Sequence, residues 1–466
     1  MDHGDLDIGF DLGTSNTKVV AVDATGALVA SASLETDWTH LGGGRAERDP
    51  VGMLATIDDL LERVATAARA RLGHVRVRSI GFASLAETGV LLDRQGRPAY
   101  PLIAWFDPRG QAQLDDLPVR IRTDFRVTTG LDLTTVPTLF KLMWLHDNGI
   151  RLNGSQWLGL PEYICHHLGG ARATDISLFG RTGLIDVATR GAWPSALDLL
   201  HVTPEFLPPI VASGAPLGRV RDDHRVEEVR GAVLTVAGHD HLVAAAEAGA
   251  ARPGFALDSM GTAEAILAVS ERLPPAADRE RLAGLGLSVS PHVVDGLTSV
   301  LAGLKGGFLL ARILRMVGGT NDPARHELDA RAAALWPQHP AAVTVRGVGM
   351  NDQAITVTVD DGELDPALVW LAALGHVTDR ARELLAIIES AGIPATTLVV
   401  AGGWTHLASV RASRRSLVPD LAICACDQPG IFGAARLAAR AAGLNDDRAD
   451  LSTYPAPAID VFPLAP

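Results

Sequence analysis

The sequence predicts an α/β protein of two domains. Its 466 residues suggest about two to three domains at roughly 150 residues each. Strand and helix patterns alternate from the N-terminus, and the same plan restarts in the middle of the chain. A glycine-rich turn follows a strand in each half. We therefore expect two α/β domains, residues 1–249 and 250–466, that face a cleft. The boundary is expected within Gly249–Pro253.

The first half begins with a β-meander, followed by a crossover helix. Asp49 is a good helix N-cap and Pro50 suits the first helical position. Apolar residues follow at spacings of three and four between Met53 and Ala68, which predicts a helix with one buried face. Strands rich in β-branched and other apolar residues are predicted at residues 6–13, 18–23, 27–35 and 77–84.

The second set of elements repeats this plan. A strand ends at Asp240 and a short helix follows it. A helix rich in small residues is expected near the C-terminus, at residues 430–443. Further strands are predicted at residues 254–262, 263–271 and 395–404.

Composition and charge narrow the classes of function. A net charge of −13 makes the chain a poor general ligand for nucleic acid or for an anionic membrane, although a local phosphate pocket remains compatible with it. Three cysteines cannot form a disulfide framework. The N-terminus lacks a basic segment followed by an apolar stretch, and apolar runs are strand-sized. We expect a cytoplasmic protein that binds neither nucleic acid nor membrane.

The first motif with chemical meaning is the turn after the first strand. Asp11 ends that strand, and Gly13, Thr14 and Ser15 follow it, with Lys18 slightly further on. Backbone N–H groups of such a turn can cradle phosphate oxygens, and one carboxylate can hold a hydrated Mg²⁺. The alternative is an ordinary hairpin with an Asx-type turn.

The second motif is Gly238-His239-Asp240-His241, which follows an apolar strand. An aspartate at this position can accept the proton of a hydroxyl that attacks a phosphoryl group. The two histidines alternate with Asp240 along an extended segment, so the three side chains do not converge on one metal ion. The alternative is an aspartate that caps the next helix.

Two further glycine turns follow strands in the second half. One is Gly261-Thr262 and the other is Gly402-Gly403. Glycine lets a nucleobase or a ribose approach the backbone closely. Either turn alone could be ordinary chain punctuation.

The order of these motifs resembles the FGGY family of carbohydrate kinases. That family belongs to the superfamily of actin, hexokinase and the heat-shock ATPases. The resemblance covers most of the chain. Segments that look like family motifs occur in family order at residues 7–23, 44–50, 91–109, 136–145, 171–187, 237–254, 259–264, 401–403 and 432–439.

The resemblance implies two ribonuclease-H-like (actin-like ATPase) domains that flank a central cleft. It also implies functions for individual residues. It places Asp11 near Mg²⁺ and the transferred phosphoryl group, and it makes Asp240 the catalytic base. ATP would be held by Gly13, Thr14, Ser15 and Lys18, by the second phosphate turn at Gly261 and Thr262, and by the adenosine-side turn at Gly402 and Gly403. The sugar or polyol would contact Glu87, Trp105, Asp107 and Asp240.

Some positions depart from the family pattern. Leu85-Ala86-Glu87 replaces a glutamine–methionine–histidine of xylulokinase-like members. Ala86 replaces the arginine that precedes the glutamate in glycerol kinases, and the pattern is not visible around Val345–Ile355. The acceptor hydroxyl therefore stays open, between a ketose, a pentulose and a polyol.

The function expected from the resemblance is phosphorylation of a small carbohydrate or polyol by ATP with Mg²⁺. One alternative is a non-catalytic regulator that responds to sugar and ATP, because a fold alone does not decide function. The other is an actin-like assembly ATPase, which would not need Glu87, Trp105 and Asp107. The sequence leaves the oligomeric state open, and a homodimer is the assembly that we consider.

Overall fold

The structure is a computed structural model, which describes residues 4–261, 263–319, 321–338, 342–350, 352, 354–360 and 365–443. The strands are β1 (Asp5–Leu12), β2 (Asn16–Asp23), β3 (Leu28–Glu35), β4 (Thr39–Gly42), β5 (Arg45–Arg48), β6 (Arg76–Ser84), β7 (Gly89–Leu92), β8 (Leu102–Ile103), β9 (Gln156–Gly159), β10 (Thr174–Asp175), β11 (Ile185–Asp186), β12 (Gly191–Ala192), β13 (Ile210–Val211), β14 (Pro216–Arg219), β15 (Val233–His239), β16 (Gly254–Met260), β17 (Glu264–Ser270), β18 (Leu287–Pro291), β19 (Thr298–Leu304), β20 (Val343–Arg346), β21 (Thr356–Val359), β22 (Ala395–Ala401) and β23 (Asp420–Ile423).

The helices begin and end as follows: α1 (Pro50–Leu72), α2 (Gln111–Asp115), α3 (Val119–Thr129), α4 (Thr138–Asp147), α5 (Leu160–Leu168), α6 (Ile176–Phe179), α7 (Pro194–Leu199), α8 (Asp240–Glu247), α9 (Ala276–Gly284), α10 (Gly306–Met316), α11 (Asp322–Leu335), α12 (Pro366–Glu389), α13 (Ala408–Arg414) and α14 (Pro429–Ala441). No helix of the described residues is both long and apolar enough to cross a membrane.

Contacts group the described residues into two compact units. The first unit contains residues 4–247, 275–298 and 429–443, and the second contains 248–274 and 299–428 with the gaps given above. The predicted division into residues 1–249 and 250–466 stays a prediction. Helix α14, which that prediction assigns to the second domain, is grouped by its contacts with the first unit.

The main sheet of the first unit has the strand order β14-β15-β6-β1-β2-β3. Strand β1 is antiparallel to β2 and parallel to β6, and β6 is parallel to β15. Helix α1 packs its apolar face against β2 and β3. Its start is as predicted, since Asp49 accepts hydrogen bonds from the N–H groups of Val51 and Gly52.

Helix α14 approaches the centre of this sheet very closely. A Cβ atom at Gly9 in β1 would lie 2.2 Å from the carbonyl oxygen of Ile431, and one at Gly81 in β6 would lie 2.3 Å from that of Ala434. Any side chain at these two positions would push the helix away, so glycine is required for this packing. The predicted helix at residues 430–443 is confirmed by α14.

The second unit repeats the order of the first. Its sheet contains β19-β17-β16-β22-β23, which corresponds to β3-β2-β1-β6-β15. Each unit begins its sheet with an antiparallel hairpin, β1-β2 in the first unit and β16-β17 in the second. Two further strands run parallel to the first strand of each hairpin: β6 and β15 beside β1, and β22 and β23 beside β16. The restart of the plan that the sequence predicts is therefore confirmed.

Candidate active site

Three predicted carboxylates lie at one edge of the first unit's sheet. In the strand register, Ser84 of β6 pairs with Leu12 of β1 on one side and with His239 of β15 on the other. The carboxyl ends of these parallel strands are thus adjacent. Asp11 lies one residue before the end of β1, Glu87 three residues after β6, and Asp240 directly after β15. Ligands of open α/β sheets commonly bind outside the carboxyl ends of the strands.

Electrostatic effects link the three carboxylates. Burial, and then the charge of Asp240, raises the pKa of Asp11 to about 7, although Lys18 opposes this. Burial also raises the pKa of Glu87, against the opposing charges of Arg181 and Lys141, and Asp240 raises it further. Asp240 is therefore within electrostatic reach of both other carboxylates. Like charges that interact in this way favour a bound cation or proton.

The carboxylate of Asp240 is held by its neighbours in sequence. Its Oδ1 accepts a hydrogen bond of 2.7 Å from the N–H of His241 and lies 3.3 Å from Nε2 of His239. Burial, and then the positive charge of Arg181, holds the pKa of His239 well below its usual value. His239 is therefore neutral and can donate from Nε2 to Asp240.

Hydrogen bonds to its three carbonyl oxygens hold the turn at residues 13–15. The carbonyl of Gly13 accepts from Oγ1 of Thr36 at 3.0 Å, and that of Ser15 accepts from the N–H of Thr36 at 2.9 Å. The carbonyl of Thr14 accepts from Nε1 of Trp38 at 2.8 Å. The carbonyl oxygens of residues 13, 14 and 15 therefore all accept hydrogen bonds from the protein, which fixes the orientation of these peptide groups.

Trp105 joins the predicted substrate residues to the predicted phosphate turn. Its Nε1 donates to Oγ1 of Thr14 at 2.9 Å. Lys141 holds the backbone of Trp105, because its Nζ donates to the Trp105 carbonyl at 3.0 Å and also to the carbonyls of Thr135 and Val136. Burial lowers the pKa of this lysine to about 8.

Asp107 is fully buried, and both of its carboxylate oxygens contact protein groups. Oδ1 accepts from the N–H and Nε of Arg109, both at 2.9 Å, and Oδ2 accepts from Nη2 of Arg109 at 2.6 Å and from the N–H of Ala46 at 2.8 Å. Burial would raise the pKa of Asp107, but these hydrogen bonds outweigh it and hold the pKa below its usual value. Its predicted contact with substrate stays a prediction.

Glu87 lies in a strained turn and pairs with an arginine that the sequence analysis did not single out. Its φ of 64° is unusual for a residue other than glycine. Its carbonyl accepts from Oγ1 of Thr138 at 2.8 Å. Its Oε1 accepts from Nε of Arg181 at 2.8 Å and forms an ion pair with Nη2 of the same arginine, also at 2.8 Å. The sequence analysis gave Lys141 no function and considered His239 only as a metal ligand.

A small cavity of about 20 Å³ lies beside Glu87, enough for about one water molecule. Glu162 lines it and is almost completely buried. Burial, and then the charge of Asp175, raises the pKa of Glu162 to about 8. Oε1 of Glu162 accepts from the N–H of Asp175 at 3.0 Å, whereas Oε2 has no hydrogen-bond partner in the described part of the chain.

In the second unit, the two predicted glycine turns lie side by side. Strands β16 and β22 are parallel, with Ser259 opposite Ala401. Gly402 has a φ of 102°, and a Cβ there would lie 2.4 Å from the carbonyl oxygen of Met260. Nε1 of Trp404 donates to the carbonyl of Gly261 at 3.2 Å, and Gly403 is exposed. Thr262 lies outside the described residues.

A buried ion cluster connects the hairpin that carries Gly261 to helix α13. Arg414 is fully buried and donates from Nε to Asp258 and from Nη2 to Glu264, both at 2.6 Å. Its Nη1 donates to Oγ1 of Thr378 at 2.8 Å. Each of the three guanidinium nitrogens therefore has a protein acceptor.

The N-terminal domain model of the FGGY family of carbohydrate kinases matches residues 6–246, more than half of the chain. This range includes Asp11, Glu87, Arg181 and Asp240. The chain belongs to the FGGY family of carbohydrate kinases. The family resemblance predicted from the motifs is therefore confirmed.

Individual relatives agree with this assignment. An L-fuculokinase of Salmonella typhi is 30% identical over 271 residues, or 56% of each chain. A glycerol kinase of Rhizorhabdus wittichii is 30% identical over 274 residues, which are 55% of this chain and 52% of that kinase. The matched segment thus spans little more than half the length of these relatives.

A crystal structure of xylulose kinase from Rhodospirillum rubrum superposes with a TM-score of 0.84, over 98% of this chain and 93% of that one. The two sequences are 23% identical. The likeness confirms the predicted α/β class with an actin-like ATPase fold.

Proposed function

We propose that the protein transfers the γ-phosphoryl group of ATP to a hydroxyl of a small carbohydrate or polyol. The observation that carries this proposal is that Asp11, Glu87 and Asp240 lie at the adjacent carboxyl ends of β1, β6 and β15. A phosphoryl-transfer enzyme needs a base between its phosphate-binding and its acceptor-binding groups. Membership of the FGGY family and the two named kinases support the same reaction.

In this proposal Asp240 is the general base. It orients the acceptor hydroxyl and takes its proton as the oxygen–phosphorus bond forms, while the bond between the γ-phosphorus and the bridging oxygen breaks and ADP leaves. His239 holds Oδ1 of Asp240 from one side, and the N–H of His241 holds it from the other. The acceptor hydroxyl would therefore approach Oδ2.

In the first unit, phosphate oxygens would bind at the turn of residues 13–15, with Lys18 slightly further along the chain. Asp11 suits Mg²⁺, because it is a hard oxygen ligand whose raised pKa reflects burial beside a second carboxylate. Bound Mg²⁺ would neutralise charge on the phosphate oxygens. We expect Asp11→Asn to weaken the binding of Mg²⁺·ADP, measured by calorimetry, without changing the affinity for ADP in EDTA. Equal losses under both conditions would contradict the metal role.

The test is a screen for ATP consumption over pentuloses, hexuloses, pentitols, tetritols and aldonates, with identification of the phosphorylated product by NMR. We expect sustained ADP formation with a phosphorylated carbohydrate. Binding of sugar and ATP without turnover would instead indicate the regulator. Nucleotide-dependent polymers of the protein in a sedimentation assay, with no sugar phosphate formed, would indicate the assembly ATPase. Either result would overturn the proposal.

A further inference from the structure

Thr14, in the turn between β1 and β2, accepts hydrogen bonds from two tryptophan side chains. Nε1 of Trp38 donates to its carbonyl oxygen at 2.8 Å, and Nε1 of Trp105 donates to its Oγ1 at 2.9 Å. Trp38 lies between β3 and β4, whereas Trp105 follows β8. The two tryptophans are 24 and 91 positions from Thr14 in the sequence. Two separate segments of the first unit therefore converge on this one residue.

Phe106 lies between the two indole rings. The centroid of its ring is 5.9 Å from that of Trp38 and 5.6 Å from that of Trp105, and both contacts are edge-on. Both tryptophans are partly buried and pack against the hydrophobic core of the first unit. Nζ of Lys141 also holds the carbonyl of Trp105 at 3.0 Å. Packing on several sides therefore fixes the direction of both indole N–H groups.

The polar groups of the turn that lack protein partners are hydrogen-bond donors. In the part of the chain that the structure describes, the hydroxyl of Thr14 donates to no acceptor, and neither do the backbone N–H groups of Thr14 and Ser15. The carbonyl oxygens of residues 13, 14 and 15, by contrast, all accept from protein donors. A threonine hydroxyl has one hydrogen to donate and two lone pairs, one of which Trp105 occupies. The turn therefore offers O–H and N–H groups to a ligand, which suits an anion.

We propose that Trp38 and Trp105 are positioning residues that direct the donors of Thr14 toward a phosphate group of the nucleotide. This inference rests on the proposed function, in which the turn of residues 13–15 binds phosphate oxygens. Trp105 acts on the hydroxyl, because an N–H group on one lone pair makes the hydroxyl hydrogen point away from the indole. Trp38 acts on the carbonyl, and a fixed carbonyl also fixes the N–H group of the same peptide.

This arrangement assigns Trp105 a function on the nucleotide side of the site. The family resemblance places Trp105 at the carbohydrate, whereas its N–H contacts a residue that the resemblance places at ATP. Without the indole donors, the hydroxyl of Thr14 could turn a lone pair toward the phosphate, and its peptide could rotate. Donors that are oriented before the ligand arrives bind it with less loss of conformational freedom. A ligand without a phosphate group gains nothing from this orientation.

The experiment measures, by calorimetry and without carbohydrate, how tightly the intact protein binds the Mg²⁺ complex of β,γ-imido-ATP and how tightly it binds adenosine. The proteins compared are the wild type, Trp105→Phe, Thr14→Val and the double variant. We expect Trp105→Phe to weaken binding of the ATP analogue about threefold to tenfold, and Thr14→Val to weaken it about tenfold or more. The double variant should bind no more weakly than Thr14→Val, because the indole then has no hydroxyl to orient. Adenosine affinity should stay unchanged in all four proteins.

The matched control is Trp193→Phe, in the same unit. Trp193 is buried, its ring packs edge-on against Phe125, and within the described ranges it has no contact with Thr14. This variant should lower thermal stability and leave the affinity for the ATP analogue unchanged. An equal loss of affinity in Trp193→Phe and Trp105→Phe would overturn the inference, because it would trace the effect to stability.

Three further results would overturn the inference while the proposed function stands. They are an unchanged analogue affinity in Trp105→Phe, equal losses for the analogue and for adenosine, and a double variant that loses the product of both single losses. If Trp105→Phe does not fold, Trp38→Phe is measured with the same two ligands. A loss for the analogue alone would then support the inference, and no loss or equal losses would overturn it. A wild type that binds the analogue but phosphorylates no carbohydrate would instead refute the proposed function itself.

Discussion

Two arginines, one in each unit, differ in how completely protein groups satisfy their side chains. Arg414 in the second unit has an acceptor for each of its three nitrogens, and two of these acceptors are carboxylates. Arg181 in the first unit has one carboxylate partner, and its Nη1 has no partner among the described residues. We call the Arg414 cluster complete because every nitrogen of its arginine is paired, although Oδ1 of Asp258 and Oε2 of Glu264 have no hydrogen-bond partner among the described residues. The Arg181 pair is incomplete, because one buried nitrogen of its arginine is unpaired. Buried charges that are paired hold the surrounding segments together.

Among the proposed substitutions, replacing Asp240 should have the largest effect on catalysis. Asp240→Asn keeps the size of the side chain and removes the proton acceptor. We expect kcat to fall by about 10²–10⁴ with the KM for ATP nearly unchanged. Steady-state kinetics with the screen's best substrate provide the measurement. Retention of more than about a tenth of the wild-type kcat would show that Asp240 is not the base.

Breaking the complete cluster should instead affect stability. Arg414→Met leaves Asp258 and Glu264 buried without their cation, and burial already raises the pKa of both. We expect a loss of about 3–5 kcal/mol in the free energy of unfolding, measured by chemical denaturation.

The control for Arg414 is Arg380→Met, in the same unit. Arg380 pairs with Glu383 on the surface of α12, so its removal should cost less than about 1 kcal/mol. Similar losses for the two variants would show that the buried cluster contributes no special stability.

Glu162 sharpens the comparison, because its carboxyl is buried beside the cavity and its Oε2 has no partner among the described residues. Its pKa is raised from 4.5 to about 8. The folded protein thus keeps this proton up to about pH 8, whereas the unfolded chain loses it near pH 4.5. Unfolding releases one proton between these values, so wild-type stability should fall with rising pH relative to Glu162→Gln, by up to about 1.4 kcal/mol per pH unit. Denaturation midpoints at pH 5, 6, 7 and 8 provide the test, and parallel curves would contradict the raised pKa.

The smallest expected effect concerns Glu87, the partner of Arg181. Glu87→Gln retains the shape of the side chain and weakens its acceptance of hydroxyl hydrogens. We expect KM for the carbohydrate to rise about tenfold, or about 1.4 kcal/mol. Melting temperature is measured on the same preparation. A loss of thermal stability with an unchanged KM would mean that Glu87 only supports its turn and Arg181.

Much of the fold could be predicted from local patterns. Three features follow from signals within a few residues: the start of α1 at Pro50, the strand ends next to Asp11 and Asp240, and the repeated strand order of the two units. Capping, hydrophobic periodicity and turn chemistry act over such short distances. They suffice to place a carboxylate at the end of a strand, but they do not identify its partner.

Contacts between distant residues could not be predicted in this way. Arg181 is 94 positions from Glu87, and Arg414 is 156 and 150 positions from Asp258 and Glu264. The sequence analysis included Arg181 in the family-like segment of residues 171–187 but gave it no function. Asp107 shows the converse, because the sequence predicts a substrate ligand and the structure surrounds its carboxylate with Arg109 and Ala46.

The sequence by itself determined the α/β class, the family and the strand ends that carry Asp11 and Asp240, because these depend on local propensity and on motif order. Only the tertiary structure decided that α14 packs on Gly9 and Gly81, and that Arg414 is fully satisfied while Arg181 keeps one nitrogen without a protein partner. The physical reason is that the hydrogen bonding of a buried charge depends on which distant segments pack around it.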